Sequence, residues 1–343
     1  MKPERLQHLL KSARGRRLLV IGDVMLDEFV WGRVSRISPE APVPVVEVQS
    51  ESCYPGGAAN VARNLRAFCA GVGLCGLVGA DLHAERLREI IENEGILSSG
   101  LLVGAGMPTI VKTRIIARHQ QVVRVDREKR FGDGAGFTGE AVARIRGMLP
   151  DFDGVIIEDY GKGFITQGLK DEVCAMVRAA GKLVFADPNP GNAIDWRGVD
   201  LLKPNRSEAF AMAGVVDPGA GDDPMSDMAL REVGAVLGAR WGLRGLLVTL
   251  GEHGMMLFEE GTAAYHTPTR AREVFDVSGA GDTAIALFSL AVCAGATMRE
   301  AAEISNHASG VVVGKLGTAT LSPEELAGSF LKDASGGPGV GGR

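Results

Sequence analysis

Short apolar runs, each followed after a few residues by a helix-length amphipathic segment, predict an α/β fold whose mostly parallel sheet is covered on both faces. Two further observations point the same way. The runs end in turn-forming residues, as at Gly22-Asp23 and Asp187-Pro188, and 45% of the 343 residues are apolar, enough to bury a substantial core. That length admits one large α/β unit or two domains.

The elements follow in chain order. Residues 1–17 are basic and helix-like, and Leu18–Ile21 is a buried strand ending in a turn. Val43–Val48 reads as a strand whose Pro42 and Pro44 place it at an edge or in a lid. Asn60–Phe68 is helical, Leu74–Val78 is apolar again, and Ala84–Ile91 is an amphipathic helix. Thr109–Ile116 and Gln121–Val125 alternate around a polar turn, which predicts a hairpin. The second half repeats strand then helix: Val155–Ile157 before Gln167–Ala179, Leu183–Ala186, and Leu201–Lys203 before Ser207–Met212. Gly245–Thr249 is a further strand, and Met255–Phe258 with Ala263–His266 form a hairpin. Ala280–Cys293 and Met298–Val313 are the closing helices, and the Gly-rich tail, residues 331–343, is expected to be disordered.

Composition excludes several classes. A net charge of −5 argues against a dedicated nucleic-acid binder. No apolar run reaches the roughly 18 residues a membrane helix needs, and none near the N-terminus suits a signal peptide, so a cytoplasmic protein with no membrane partner is expected. Five cysteines without a C-x-x-C pair and six scattered histidines predict reduced thiols and no structural metal. Gly71–Gly76 matches G-x-G-x-x-G, but a helix precedes it and a strand runs through it, the wrong context for a dinucleotide. Gly310–Lys315 has the wrong spacing for a phosphate loop, with Leu316 where Ser or Thr must hold magnesium; Asn205-Arg206-Ser207 is a glycosylation sequon without secretory context.

Three segments carry chemistry. In Asp276-Val-Ser278-Gly279-Ala280-Gly281-Asp282-Thr283, small residues at a helix start let backbone N–H groups approach anionic oxygens, with Asp282 placed to accept a proton from a hydroxyl. An N-cap on a tight turn would look the same. Asn205-Arg206-Ser207-Glu208 also opens a helix; Asn205 and Glu208 can face one nucleotide site, Glu208 acting on hydrated magnesium, or simply form a capping box. Thr249-Leu-Gly251-Glu-His-Gly254 either bounds a nucleotide or is an ordinary hairpin turn.

Taken in order with Gly22-Asp23-Val-Met-Leu-Asp27 and Pro55-Gly56-Gly57-Ala-Ala-Asn60, these segments resemble the ribokinase-like (PfkB) carbohydrate kinase family from about Leu18 to Leu326. The resemblance implies a three-layer αβα fold over residues 1–330 with a small β lid from segments 31–48 and 108–126, and a homodimer clasped through it. It also implies ATP near Asn205, Gly251 and Asn306, sugar-binding Asp27, Gly57 and Asn60, and Asp282 as base beside the Gly279–Gly281 amides. A potassium ion at Asp276 and the Ser278 carbonyl belongs to the same pattern.

Ser35–Val46, Thr109–Arg114, Gln120–Asp126 and Gly310–Thr318 are similar to D-glycero-β-D-manno-heptose-7-phosphate kinases, which act in ADP-heptose and lipopolysaccharide synthesis. Many such kinases are fused to a nucleotidyltransferase; this chain ends before one begins, so the kinase step alone is expected. Lys112, Arg114, Arg118 and Arg124 in the lid hairpin, with Arg36 from the other lid segment, are candidates to hold a substrate phosphate. Asp159 joins the substrate set. Departures from the heptose kinase pattern are Glu158 where Ser is expected, Asn189 in place of a frequent Lys, and Thr249-Leu-Gly251-Glu-His in the general sugar-kinase form. Kinases of the same fold acting on fructose 1-phosphate, ribose or a nucleoside, a silent sugar-binding regulator, and a dinucleotide-dependent oxidoreductase are the rival readings.

Overall fold

The computed structural model describes residues 1–117, 120–129, 135–271, 274–315 and 317–335. In chain order the first half runs α1 (Pro3–Ala13), β1 (Arg17–Gly22), β2 (Val24–Ile37), β3 (Pro44–Gly57), α2 (Ala58–Arg66), β4 (Gly71–Gly79), α3 (Leu82–Asn93), β5 (Ile96–Gly104), β6 (Ile110–Ala117), β7 (Gln120–Arg127) and α4 (Ala135–Met148). The second half runs β8 (Gly154–Glu158), α5 (Gln167–Ala179), β9 (Leu183–Asp187), β10 (Leu201–Leu202), α6 (Arg206–Ala213), α7 (Met228–Trp241), β11 (Gly245–Thr249), β12 (Met255–Glu259), β13 (Tyr265–Thr267), α8 (Ala280–Cys293), α9 (Met298–Val312) and α10 (Pro323–Ser335).

Nine strands form the larger sheet in the order β13-β12-β11-β10-β9-β8-β1-β4-β5. Only the β11–β12 and β12–β13 pairings are antiparallel. The alternation of side chains along a strand builds a core on each face. Leu18, Val20 and Ile156 pack with α1, α2, α8 and α9, whereas Leu19, Ile21, Val155 and Ile157 pack with α4 to α7. Because both faces are covered, the strands read as continuous apolar runs. The fold is α/β in three layers.

A smaller sheet, β3-β2-β6-β7, stands beside this body. It takes in the expected lid segments but is larger than predicted: β2 and β3 pair antiparallel from Val24–Gly57 out to Ile37–Pro44. The hairpin of β6 and β7 is present, while β5, α4, α7 and α10 had no counterpart in the sequence reading. Helix α10 reaches Ser335, so the expectation of disorder from residue 331 fails for 331–335, whose Phe330 neighbour packs on His307. Residues 336–343 lie outside the described residues. Among the described residues no helix is long and apolar enough to cross a membrane. Gly71–Gly76 lies within β4 itself, which removes the dinucleotide reading on geometric grounds.

Candidate active site

Asp282 sits in the first turn of α8 with only 7% of its surface exposed. The preceding Gly279 takes φ +78, a conformation that side-chain-bearing residues avoid, and this kink aims the helix N-terminus at the C-terminal edge of the larger sheet. Asn60, from the start of α2, donates its Nδ2–H to Asp282 Oδ2 at 2.6 Å, and the Tyr160 hydroxyl donates to Oδ1. Asn64 donates to the Asn60 carbonyl and accepts from Thr283, so α2 and α8 are joined through buried polar groups. Burial pushes the Asp282 carboxyl above its ordinary range, opposed by its two donors and by Lys203.

Beneath α8 the sheet edge carries a row of charge. Register pairs Glu158 of β8 with Asp187 of β9, and Lys203, just past β10, forms an ion pair with Asp187 at 2.8 Å. Burial raises Asp187 despite that pair; burial alone would lower Lys203, but Asp187 and Glu158 hold its ammonium protonated. Glu158 is fully buried, neither carboxyl oxygen has a partner, and burial with Asp187 and Asp282 nearby raises it well above the carboxylate range. Burial therefore favours its protonated form.

Asp282, Tyr160, Asp187 and Lys203 border a cleft of about 660 Å³ that also reaches Asn205, Arg206, Ser207, Glu208 and Gly279. A cavity of about 430 Å³, with Met255, Val274 and Val313 among its walls and Asn306 and Gly254 at its border, adjoins it through Thr249, Gly251, Val277 and Gly281. A polar, charge-lined cleft opening into an apolar slot has the form needed for a phosphate chain and a flat base. Asn205 and Glu208 make the full capping box on α6, so the structural reading of that spacing is realised, and both residues still line the cleft. The Arg206 guanidinium is engaged by Asp217 and Asp227. Asn306 is buried and donates to Thr267 Oγ1 and the Pro268 carbonyl, pinning the wall of the slot.

On the lid side, Asp27 is buried where Arg114 donates to its carboxylate. Gly56 lies against it: a Cβ there would stand 2.4 Å from Asp27 Oδ2. Gly57 caps α2, whose first turns carry Asn60. Lys112 is the register neighbour of Asp27 on β6. Arg114, predicted to hold phosphate, is instead occupied by Asp27. Arg36 is exposed on β2, nine residues beyond Asp27 or about 30 Å of extended chain. Arg118 lies outside the described residues. Asp159 accepts from the Gly161 amide and from Asn192, and burial raises its carboxyl to about 7.

Several residues had been assigned no role from sequence. Asp23 accepts backbone N–H groups from Tyr160, Lys162 and Phe164, which shapes the loop after β8 and delivers Tyr160 to Asp282. Its position in Gly22-Asp23 was the available signal, as was Lys203 directly before Pro204-Asn205. Tyr160 stood in a segment noted only for its departures.

Among the described residues no group of three or more His, Cys, Asp or Glu is set to enclose a metal ion. Magnesium fits here in its usual manner, keeping waters and sharing one or two carboxylates with bound phosphates; Glu208 at the cleft wall suits that role. Both Asp276 carboxylate oxygens accept backbone amides, from Ser278 at 2.9 Å and Gly317 at 3.2 Å, which fixes the loop before α8.

Comparison with known proteins matches the description "pfkB family carbohydrate kinase" to residues 16–325. The bifunctional protein HldE of Caulobacter vibrioides is 43% identical over 97% of this chain and 67% of its own length. That of Citrifermentans bemidjiense is 40% identical over 95% of this chain and 66% of its own. The chain thus spans about two-thirds of these relatives. Among solved structures, ribokinase from Giardia lamblia superimposes with a TM-score of 0.73 at 18% identity, covering 93% of this chain and 99% of that one. Arabidopsis thaliana ribokinase complexed with ribose and ATP gives 0.69 at 18% identity, covering 92% and 99%. With this ribokinase-like fold and the family match over nearly all its described length, the chain belongs to the pfkB family of carbohydrate kinases, ATP-dependent enzymes that phosphorylate sugars.

Proposed function

We propose that the chain transfers the γ-phosphoryl group of ATP to the anomeric hydroxyl of a sugar phosphate, D-glycero-β-D-manno-heptose 7-phosphate, yielding ADP and heptose 1,7-bisphosphate for ADP-heptose synthesis. The observation that carries this reading is the placement of Asp282: a carboxylate at a helix N-terminus, between the cleft that opens into the apolar slot and Asn60 on the sugar side. The similarity to HldE proteins, at 40% identity or more over most of the chain, supports the heptose substrate.

In the proposed reaction Asp282 takes the hydroxyl proton, the oxygen forms a bond to the γ-phosphorus, and the bond to the β-phosphate oxygen breaks with its electron pair on ADP. The amides of Gly279, Ala280 and Gly281 and the Lys203 ammonium face the phosphoryl oxygens as charge develops. Asp27, Asn60, Gly56, Gly57 and Asp159 hold the sugar, and Asn205, Thr249, Gly251, Gly254 and Asn306 bound the nucleotide. Magnesium, through Glu208 and water, would neutralise phosphate charge; potassium near Asp276 and Ser278 would brace the anion-binding loop. Two copies would meet through the β lid, where Val122, Val123 and Val125 are exposed.

The test is coupled ADP release over a panel of sugars and sugar phosphates, with both heptose 7-phosphate anomers. Heptose 7-phosphate should give the highest kcat/KM, and Asp282→Asn should lower kcat by roughly 10²–10⁴-fold. Faster turnover of ribose, fructose 1-phosphate or a nucleoside would move the substrate assignment to that acceptor.

A further inference from the structure

One face of the smaller sheet concentrates cations. Register places Lys112 of β6 opposite Asp27 of β2 and Asp126 of β7, and Arg114 opposite Arg124, so these side chains share a face. Most are matched. Arg114 is held by Asp27 and lies over the Phe29 ring, and Arg124 grips Asp126 through two hydrogen bonds of 2.8 and 2.9 Å. Lys162, in the loop after β8, pairs with Glu128 at 2.7 Å while its backbone N–H is fixed by Asp23. Lys112 differs from them: it is half-buried and, among the described residues, has no ion-pair or hydrogen-bond partner. Burial lowers its ammonium, and the next influence is repulsion from Lys162. Asp27 and Asp126 attract Lys112 without pairing with it directly, and two ammonium groups within repulsive reach cost the fold free energy. A dianion between them reverses the sign of that interaction.

Building on the sugar-phosphate reading above, we infer that Lys112 and Lys162 together seat the phosphate the sugar already carries, while Arg114 is a positioning residue that holds Asp27 for the sugar hydroxyls. The electrostatic neighbours set the direction in which the substrate lies. Asp27 is the register neighbour of Lys112, and its charge also acts on Asp282. A sugar whose hydroxyls meet Asp27 therefore extends one end toward the base and the other toward the two lysines. The ligand class is a phosphomonoester borne on a carbon remote from the accepting hydroxyl. Lys162 comes from the loop that also delivers Tyr160 to Asp282, so phosphate at one end and base at the other are set by one segment.

The experiment measures KM and kcat for heptose 7-phosphate and for the unphosphorylated heptose in the native chain, Lys112→Met, Lys162→Met, Lys162→Arg and Glu128→Gln. Each lysine-to-methionine change should raise KM for the phosphorylated sugar by about 10–100-fold, the loss expected for a charged hydrogen bond, and shrink its advantage over the free sugar to the same extent. Lys162→Arg should recover most of that loss. Glu128→Gln should not raise KM, because freeing Lys162 from its carboxylate leaves the cation available. If Glu128→Gln reproduces Lys162→Met, the lysine is a tether and the inference falls. Lys112 has no structural partner, so its variant keeps the question open should Lys162→Met fail to fold. A native enzyme that does not prefer the phosphorylated sugar overturns the sugar-phosphate reading itself. A native preference that survives both methionine changes overturns only the two-lysine seat.

Discussion

Gly279→Ala separates the conformational role of the α8 start from its chemical one. Two costs follow from the geometry. The backbone at φ +78 disfavours any Cβ by about 1–2 kcal/mol, which should appear as a lower melting temperature. The added Cβ would also lie 2.8 Å from Asn60 Nδ2, too close to stay. Asn60 is fully buried and held by Asn64, so it yields by swinging away from Asp282, breaking a 2.6 Å hydrogen bond to a charged group worth about 1.5–3 kcal/mol. Asp282 then loses one of the two donors that counter burial, and kcat should fall by about 10–100-fold, with the acid limb of the pH profile moving upward. Gly281→Ala is the control. Its Cβ would meet Lys203 Nζ at 3.5 Å, an ordinary contact within a helix, so the fold should hold while KM for ATP rises as the Cβ enters the path to the amides. Coupled ADP release and thermal unfolding read both variants. Native turnover in a Gly279→Ala chain of unchanged melting temperature would refute the reasoning.

Three other perturbations test the charges. The Asp159 carboxyl, raised to about 7, binds its proton more tightly in the fold than in the unfolded chain, so its contribution to stability is present at low pH and lost as pH rises through about 7. Asp159→Asn should therefore gain about 2–3 kcal/mol relative to the native chain between pH 5 and pH 8 in urea unfolding; a pH-independent difference contradicts this. Lys203→Met strands Asp187 without its partner and should cost about 3–5 kcal/mol at pH 8, less at pH 5 where the carboxyl can protonate; an equal loss at both values would disprove the ion-pair account. Glu158→Gln replaces a carboxyl whose burial favours the protonated form by a neutral amide of the same shape and should keep kcat within about twofold at pH 7. A tenfold loss would show that an ionised Glu158 is needed.

Legibility followed the local physics of each segment. Leu18–Ile21, Val155–Ile157 and Gly245–Thr249 were readable because strands buried on both faces leave continuous apolar runs. Helix α5 was readable at both ends, with Thr166 capping its start. Helix α7 was not: Gly234 and Gly238 interrupt its pattern, and Gly234 is small because Phe258 packs where a Cβ would stand. Strand β2 was hidden by Asp27, Glu28, Arg33 and Arg36, polar residues that suit a sheet outside the main core. In the site, the glycine-lined start of α8 was legible as a motif. The Tyr160 contact was not, because it depends on Asp23 gathering three amides of a distant loop, a contact set by tertiary packing.

The row beneath α8 shows why Asp282, among neighbouring carboxyls, has the environment of a base. Glu158, Asp187 and Asp282 share a buried region with the single ammonium of Lys203, and three negative charges cannot all persist there. Each carboxyl meets a different partner. Asp187 has the lysine at 2.8 Å, Glu158 has no donor at all, and Asp282 has Asn60, Tyr160 and the N-terminus of a 14-residue helix. Burial thus opposes charge at all three, without any donor to offset it at Glu158, with the Lys203 ammonium to offset it at Asp187, and with two donors and a helix start over the cleft to offset it at Asp282. A serine in place of Glu158 would remove one buried carboxyl and leave the Lys203 ammonium to balance Asp187 and Asp282. Glu158 therefore affects how readily the base titrates, while the donors on Asp282 determine which carboxyl serves as the base.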